Sequence, residues 1–440
     1  MANVRDAERV LTTPGAGQAA GVSRGSMAIA AFSTVVEWYD FTLYLYLATV
    51  LSRVFHGGGE GSLAATLAGF AVAYLLRPLG AIVFGHIGDR FGRRRSMLLS
   101  VALMTAAMLA TALLPTHHDI GPAAAWLLLA LRCVMSFSVG GEYVGVVAYL
   151  LEGAPPNRRG LIASTASAAS EIGALLAVGV SALTVHLLPA PALDAWGWRI
   201  PFVIGAALAG TVWIARSAMQ ESPDFERQRA AGTAPDRPLA YALTHQRAGI
   251  LRGFAISALG SITYYVGITH VPSFLASTGG LGEGVSLWLA TIAAVAVILV
   301  TPLAGALSDR LGRKPVLVAL CVAGAILPVA MFSMMAGGSQ THALIGAVAL
   351  ACVAGGVSAV GAVATAEQFS GEGRLTGLAL GATTATALFG GLAPWLAQIL
   401  TDRSGWAAAP GAMIAGVAVF VLPVLFTMPE TAHGSRGPSR

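Results

Sequence analysis

Charge is scarce in this 440-residue sequence: Asp, Glu, Lys and Arg make up 11% of it, against 56% hydrophobic residues. About a quarter of an ordinary soluble domain is charged, and a soluble chain this long would need that charge to cover its surface. The mean hydropathy of +0.73 points the same way. These shortages exclude a soluble enzyme and a disordered chain. Cysteine is equally sparse, with Cys133, Cys321 and Cys352 far apart and each inside an apolar run. No Cys-x-x-Cys or Cys/His spacing occurs, so neither a disulfide framework nor a metal site is expected. Lys314 is the only lysine, so the formal charge of +5 comes from arginine. An excess that small over this length gives no reason to expect a nucleic-acid partner. The glycines of residues 57–61 lack a following Gly-Lys-Ser/Thr, no Walker motif occurs, and no catalytic triad is evident. Neither an enzyme nor a cofactor is expected.

Long hydrophobic runs are what the sequence has instead. A membrane-spanning helix needs about 20 mostly apolar residues. Twelve such stretches follow one another, near residues 26–52, 62–87, 96–115, 123–151, 160–188, 198–216, 247–276, 284–308, 315–336, 342–369, 374–402 and 407–427. They are too long, and too rich in Ala, Leu and Gly, for barrel strands of about ten residues. Small residues let helices in lipid approach closely, which suits a chain with 53 glycines. The predicted class is an all-α polytopic membrane protein.

Arginine sets the expected orientation. Arg5, Arg9 and Arg24, the run Arg93–Arg95, Arg158 and Arg159, the central segment, Arg310 to Lys314 and the C-terminal arginines all fall on one side. The opposite loops hold Arg53 and Arg403. Basic loops stay on the cytosolic face, which places both termini there. The first residues mix Arg, Asp, Glu, Thr and Gly without an early apolar core, as a cytosolic tail does and a signal peptide does not. The domain plan is therefore a tail over 1–25, a six-span bundle over 26–216, a cytosolic linker over 217–246 containing Pro223, Pro235 and Pro238, a second bundle over 247–427, and a tail over 428–440.

The two bundles share a repeat. Gly85-His86-Ile87-Gly88-Asp89-Arg90-Phe91-Gly92-Arg93-Arg94 follows span 2, and Gly305-Ala306-Leu307-Ser308-Asp309-Arg310-Leu311-Gly312-Arg313-Lys314 follows span 8, offset by half the chain. A weaker echo pairs Glu152, Arg159 and Gly160 with Glu367, Arg374 and Gly377. The chain reads as two homologous halves. A plain basic loop does not explain the same spacing twice. An Asp at a helix end can accept hydrogen bonds from a neighbouring helix N-terminus and pair with Arg.

This pattern resembles the signature of the major facilitator superfamily. Further stretches resemble its metabolite:proton symporters, carriers of citrate, α-ketoglutarate, shikimate and proline or betaine. They are Glu37-Trp38-Tyr39-Asp40-Phe41, Arg77-Pro78-Leu79-Gly80, Gly140-Gly141-Glu142-Tyr143, Gly197-Trp198-Arg199-Ile200-Pro201-Phe202, Phe389-Gly390-Gly391 with Pro394, and Pro429-Glu430-Thr431. Residues 366–374 depart from the subfamily pattern. The resemblance implies twelve helices in two pseudo-symmetric bundles that rock about a central site. It also implies a cytosolic gate formed by Asp89, Arg90, Arg93, Glu152, Arg159, Asp309, Arg310, Arg313, Glu367 and Arg374.

Ionisable residues at membrane depth are costly and point to function. Glu37 and Asp40 lie three apart in span 1, with Tyr44 near the same face. Two carboxylates this close in low dielectric do not both stay ionised, so one can carry a proton. Glu142 and Glu171 are the other proton-coupling candidates. The buried cations Arg77 and Arg132 suit a carboxylate bidentately, either on a substrate or on Glu37, Asp40 or Glu142. Ser164 and Ser167 share a face of span 5 with Glu171. Tyr264, Tyr265, Thr269 and His270 interrupt the apolar run of span 7 before Pro272 and form a candidate substrate face, with Thr383, Thr384 and Thr386 of span 11 weaker candidates.

Two arginines favour a substrate with more than one carboxylate. The expected function is proton-coupled import of a di- or tricarboxylate such as citrate or α-ketoglutarate by a monomer in the bilayer. A zwitterion such as betaine or proline is the alternative, favoured by Glu171; a drug/proton antiporter and a sensor on a transporter fold are more distant ones.

Overall fold

The computed structural model describes residues 24–59, 62–140, 142–221, 223–232, 238–281, 283–369 and 374–432. Its described elements are all helical. Nine helices among the described residues are long and apolar enough to cross a membrane. Spans 1, 4 and 7 fall outside that set, and they carry most of the polar residues singled out above. Span 1 is Arg24–Tyr46 followed, after a break at Leu47, by Ala48–His56. Span 2 is Ser62–Tyr74 and Arg77–Phe91, span 3 Arg93–Ala112, span 4 Ala123–Val139 and Glu142–Gly153, span 5 Arg159–Leu187 and span 6 Arg199–Ser217. Two short helices, Pro223–Ala231 and Pro238–His245, lie in the central segment.

Span 7 runs through Arg247–Tyr264, the π-helical turn Tyr265–Thr269 and Val271–Ser277. Spans 8, 9 and 10 are Glu283–Leu311, Arg313–Met335 and Gln340–Glu367. Span 11, expected as one helix, begins at Arg374–Leu378, passes through the π segments Ala379–Thr383 and Ala387–Gly391, and ends in Ala393–Ser404. Span 12 is Ala409–Thr427. A π turn releases a backbone bond and re-aims the side chains after it, and such turns concentrate at working sites.

Packing follows the repeat. Span 1 packs on span 5, span 3 on span 6, and span 9 on spans 10 and 12; across the seam, span 5 meets spans 8 and 10, and span 2 meets span 11. The outer surface is apolar: Trp126, Leu187, Leu303 and Phe420 are exposed, while Glu37, Asp40, Arg77 and Arg132 are buried. That inversion suits a surface bathed in hydrocarbon, where burying apolar groups brings no gain and polar groups must find partners inside.

Arg93, Arg216 and Arg313, counted with the loops in the sequence, are each only 1% exposed. Arg216, at the end of span 6, donates to the Ser33 hydroxyl and, at 3.0 Å, to the Met97 carbonyl, tying three spans of one half together.

Candidate functional site

The repeated motif forms a latch by exchange between the halves. Asp89 pairs with Arg93 at 2.5 Å and accepts from Thr376 N (2.9 Å), Leu375 N (3.3 Å) and the Thr376 hydroxyl (2.9 Å), all at the head of span 11. Asp309 pairs with Arg313 at 2.8 Å and accepts from Gly160 N (2.8 Å) and Leu161 N (2.9 Å) at the head of span 5. Each carboxylate thus satisfies the unpaired N–H groups of a helix in the other half, where the helix dipole also favours negative charge. Gly92 and Gly312 follow with φ of 111° and 106°, a left-handed turn that a side chain would strain.

A second ring braces the C-terminal copy. Arg313 Nε donates to Glu367 (3.3 Å), which also accepts from the Thr431 hydroxyl (2.5 Å). Glu430 accepts from the N–H groups of Arg313 (2.8 Å) and Lys314 (3.0 Å). Arg90 and Arg310 are exposed and stand outside this network, while Arg159 and Arg374 are half-buried at the heads of spans 5 and 11. The side chains of Glu142 and Glu152 lie outside the described part of the structure.

Between the halves, beyond the latch, lies a cavity of about 170 Å³. The N-terminal half lines it with Glu37, Trp38, Arg77, Ser167, Ser170 and Glu171; the C-terminal half adds Ser261, Tyr264, Tyr265, Ser358, Thr383 and Thr386. Arg77 reaches it through a helix break. The first helix of span 2 ends at Tyr74, and the second starts at Arg77 with Pro78 in its first turn, where the missing N–H costs nothing. Span 4 approaches so closely that a side chain at Gly140 would strike the Arg77 carbonyl oxygen. The Arg77 guanidinium lies over Phe41 (4.7 Å) and Tyr74 (4.5 Å) and donates to the Tyr74 hydroxyl at 3.3 Å.

Several contacts stitch the halves together around this space. The Tyr264 hydroxyl donates to the Glu171 carboxylate. Tyr74 and Tyr265 share a 2.5 Å hydroxyl bond, Trp38 meets Tyr264 edge-on at 5.3 Å, and Ser358 donates to Ser167 at 3.3 Å. Phe41, Tyr74, Tyr264 and Tyr265 form one buried cluster here, with Trp38 packed against it.

Arg132 does not line the cavity. It binds Asp40 with contacts of 2.9 and 3.4 Å, donates to Thr111 at 3.4 Å, and lies over the rings of Tyr44 (5.4 Å) and Phe202 (5.7 Å). A smaller pocket of about 20 Å³ touches this pair, and Glu37 and Arg77 line both spaces.

Residues 26–242 match the family described as "Sugar (and other) transporter", and residues 271–440 the family described as "Major Facilitator Superfamily". The ectoine/proline transporter ProP of Corynebacterium glutamicum is 33% identical over 409 residues, covering 88% of this chain and 81% of the relative. The chain belongs to the major facilitator superfamily. The α-ketoglutarate permease of Escherichia coli is also 33% identical, over 376 residues covering 84% of this chain and 86% of that one. The citrate-proton symporter of Klebsiella pneumoniae is 28% identical over 396 residues, covering 89% of each. The solved proton:xylose symporter XylE, bound to 6-bromo-6-deoxy-D-glucose, superposes with a TM-score of 0.77 at 20% identity, over 92% of this chain and 96% of that one. The fold is that of the superfamily, and the protein is a multi-pass membrane transporter rather than an enzyme.

The transporter thus gathers some of the sequence candidates and separates others. Glu37, Glu171, Arg77, Ser167, Tyr264 and Tyr265 line the cavity. Asp40 and Arg132 lie behind its wall. Tyr44 donates to the Thr66 carbonyl at 3.0 Å, Ser164 to the Leu161 carbonyl at 2.8 Å, and Thr269 to the Tyr265 carbonyl at 2.5 Å. His270 is buried beside Phe274, away from the cavity. Trp38, Tyr74 and Ser170 join the site without being among the sequence candidates, although Tyr74 precedes Arg77 by three residues and Ser170 follows Ser167 by three. That spacing places residues on one helical face and would have found Ser170.

Proposed function

We propose that this transporter imports a small zwitterionic solute, with a carboxylate at one end and an alkylated or secondary ammonium at the other, together with a proton. The observation carrying this reading is the charge set of the cavity: one arginine, Arg77, against two carboxylates, Glu37 and Glu171, with the rings of Trp38, Tyr264 and Tyr265 on the same wall. Arg77 offers its fork to the substrate carboxylate. Glu171 and the aromatic faces offer a desolvated ammonium both a counter-charge and cation–π attraction. The second arginine, on which a di- or tricarboxylate reading leaned, is held by Asp40.

Coupling follows from the same charges. Protonating a carboxylate in or behind the cavity changes the net charge of the site by one, so substrate affinity and proton occupancy depend on each other. Protonation of Asp40 also frees Arg132 from its carboxylate partner. The two halves then rock about the cavity, with the Asp89 and Asp309 latch closing the cytosolic side of a bacterial inner membrane and both termini on that side. The arginine distribution and the bacterial relatives support this placement.

The test is uptake into proteoliposomes of labelled betaine, proline and ectoine beside α-ketoglutarate and citrate, with and without an inward proton gradient. The zwitterions should accumulate only with the gradient. Accumulation of the dicarboxylate alone would transfer the reading to the second candidate, which the likeness to α-ketoglutarate permease favours. Accumulation without any gradient would overturn coupling.

A further inference from the structure

We infer that the small pocket behind the cavity wall is a water site, and that its water passes the coupling proton between Glu37 and Asp40. The inference rests on the proton-coupled reading above and adds the route. The pocket holds about 20 Å³ and is lined by Glu37, Asp40, Arg77, Arg132 and Ser136, with Ala73 among the apolar walls. One water needs roughly 10–15 Å³ and two to four polar partners. Among the described residues, Arg77 and Arg132, 8% and 4% exposed, each have a buried Nε–H without an acceptor. A water oxygen accepts from one of these donors with one lone pair, keeps the other for a carboxyl proton, and has two O–H groups to donate.

The carboxylates are placed to receive them. Glu37 and Asp40 belong to one helix, three residues apart, yet Glu37 reaches the substrate cavity as well as the pocket, while Asp40 reaches the pocket alone. The groups facing this pair are known from each packed element: Arg132 of span 4 on Asp40, Arg77 of span 2 near Glu37, Tyr39 and Tyr44 of span 1 itself, and Glu171 of span 5 across the cavity. Counted with Glu171, two cations face three carboxylates, so one added proton brings the net charge to zero and is retained without a buried excess charge.

The transfer balances within the pair. The carboxyl of Glu37, reached from the cavity, gives its proton to the water oxygen as the water gives one of its own protons to the Asp40 carboxylate. Glu37 becomes anionic, Asp40 neutral, and the water is restored. Arg132 loses its ionic partner but keeps the rings of Tyr44 and Phe202. Glu37 is thus the group through which the substrate cavity and the Asp40–Arg132 pair exchange a proton.

Two measurements test this on the full-length protein. The first needs no substrate: pH-difference infrared spectra of the purified protein in ordinary and ¹⁸O water. A water O–H stretch that shifts with ¹⁸O should be present in the wild type and lost in Ala73→Val, which fills the pocket from its apolar side. The band should also move in Glu37→Gln. The second is transport in proteoliposomes. Ala73→Val should lower gradient-driven accumulation at least fivefold while counterflow exchange stays within twofold of wild type. An isotope-sensitive band unchanged by Ala73→Val, or full gradient-driven accumulation in Glu37→Gln, overturns the inference. Failure of every offered solute to accumulate would sink the substrate reading, and the infrared result would still decide the water site.

Discussion

The two halves of this transporter are copies at one end and strangers in the middle. At the latch, Asp89 and Asp309 do the same work on the same geometry: each pairs with the Arg four residues on and caps a helix of the opposite half. In the cavity, the N-terminal half supplies Arg77, Glu37 and Glu171, whereas the C-terminal half supplies hydroxyls, aromatic rings and helices bent by π turns. Duplicated sequence has stayed alike where the task is symmetric. It differs in the cavity, where, among the described residues, the charged side chains come from the N-terminal half.

Removing the charge should hurt more than removing a hydroxyl, and this sharpens the comparison most. Arg77→Ala should weaken substrate binding by about 3 kcal/mol, on the order of 100-fold, because a charge-assisted contact is lost in a buried site. Tyr265→Phe in the other half should cost about 1 kcal/mol, roughly fivefold. Titration calorimetry on the purified variants checks both. Equal losses would mean that the cavity is not polarised between the halves.

The latch predicts the opposite pattern. Asp89→Asn and Asp309→Asn should each favour opening at the motif end by roughly 1–2 kcal/mol, about tenfold, since each loses an ion pair and two caps. A cysteine placed at Ser358 in a cysteine-free background reports this as the rate of thiol labelling. A response in only one of the two would break the symmetry claimed for the latch.

The smallest expected effect belongs to the brace that follows span 12. Burial alone would raise the Glu430 pKa, but the N–H groups of Ala432, Arg313, Lys314 and Thr431 outweigh it and hold the pKa below the usual carboxylate range. A depressed folded pKa adds stability above the unfolded value of about 4.3 and loses it as pH falls through the folded one. Thermal unfolding should therefore separate wild type from Glu430→Gln by up to about 1 kcal/mol near neutrality, with the gap closing in acid. A pH-independent gap would remove Glu430 from that role.

Much of this was legible in the sequence. The spans, the repeat and the latch pairs needed only apolar length, spacing and the chemistry of an Asp beside an Arg. The motif did not say whose helix each Asp would cap, because the partner lies in the other half of the chain. Arg132 is recognisable as a buried cation, but a substrate, Glu37, Asp40 and Glu142 all stand as its possible partners. Glu37 and Asp40 looked like one face of one helix. Residues three apart differ by about 60° around a helix, and the wall between the cavity and the small pocket falls inside that angle.

The sequence by itself determined that the chain is a helical membrane protein built from two related halves, because hydrophobic run length and a repeated motif are one-dimensional properties. Tertiary structure decided which of the few buried charges face the cavity and which face each other. In a low-dielectric interior every charge must have a partner, and which partner comes within 3 Å depends on helix breaks, π turns and close backbone approaches that local spacing does not encode.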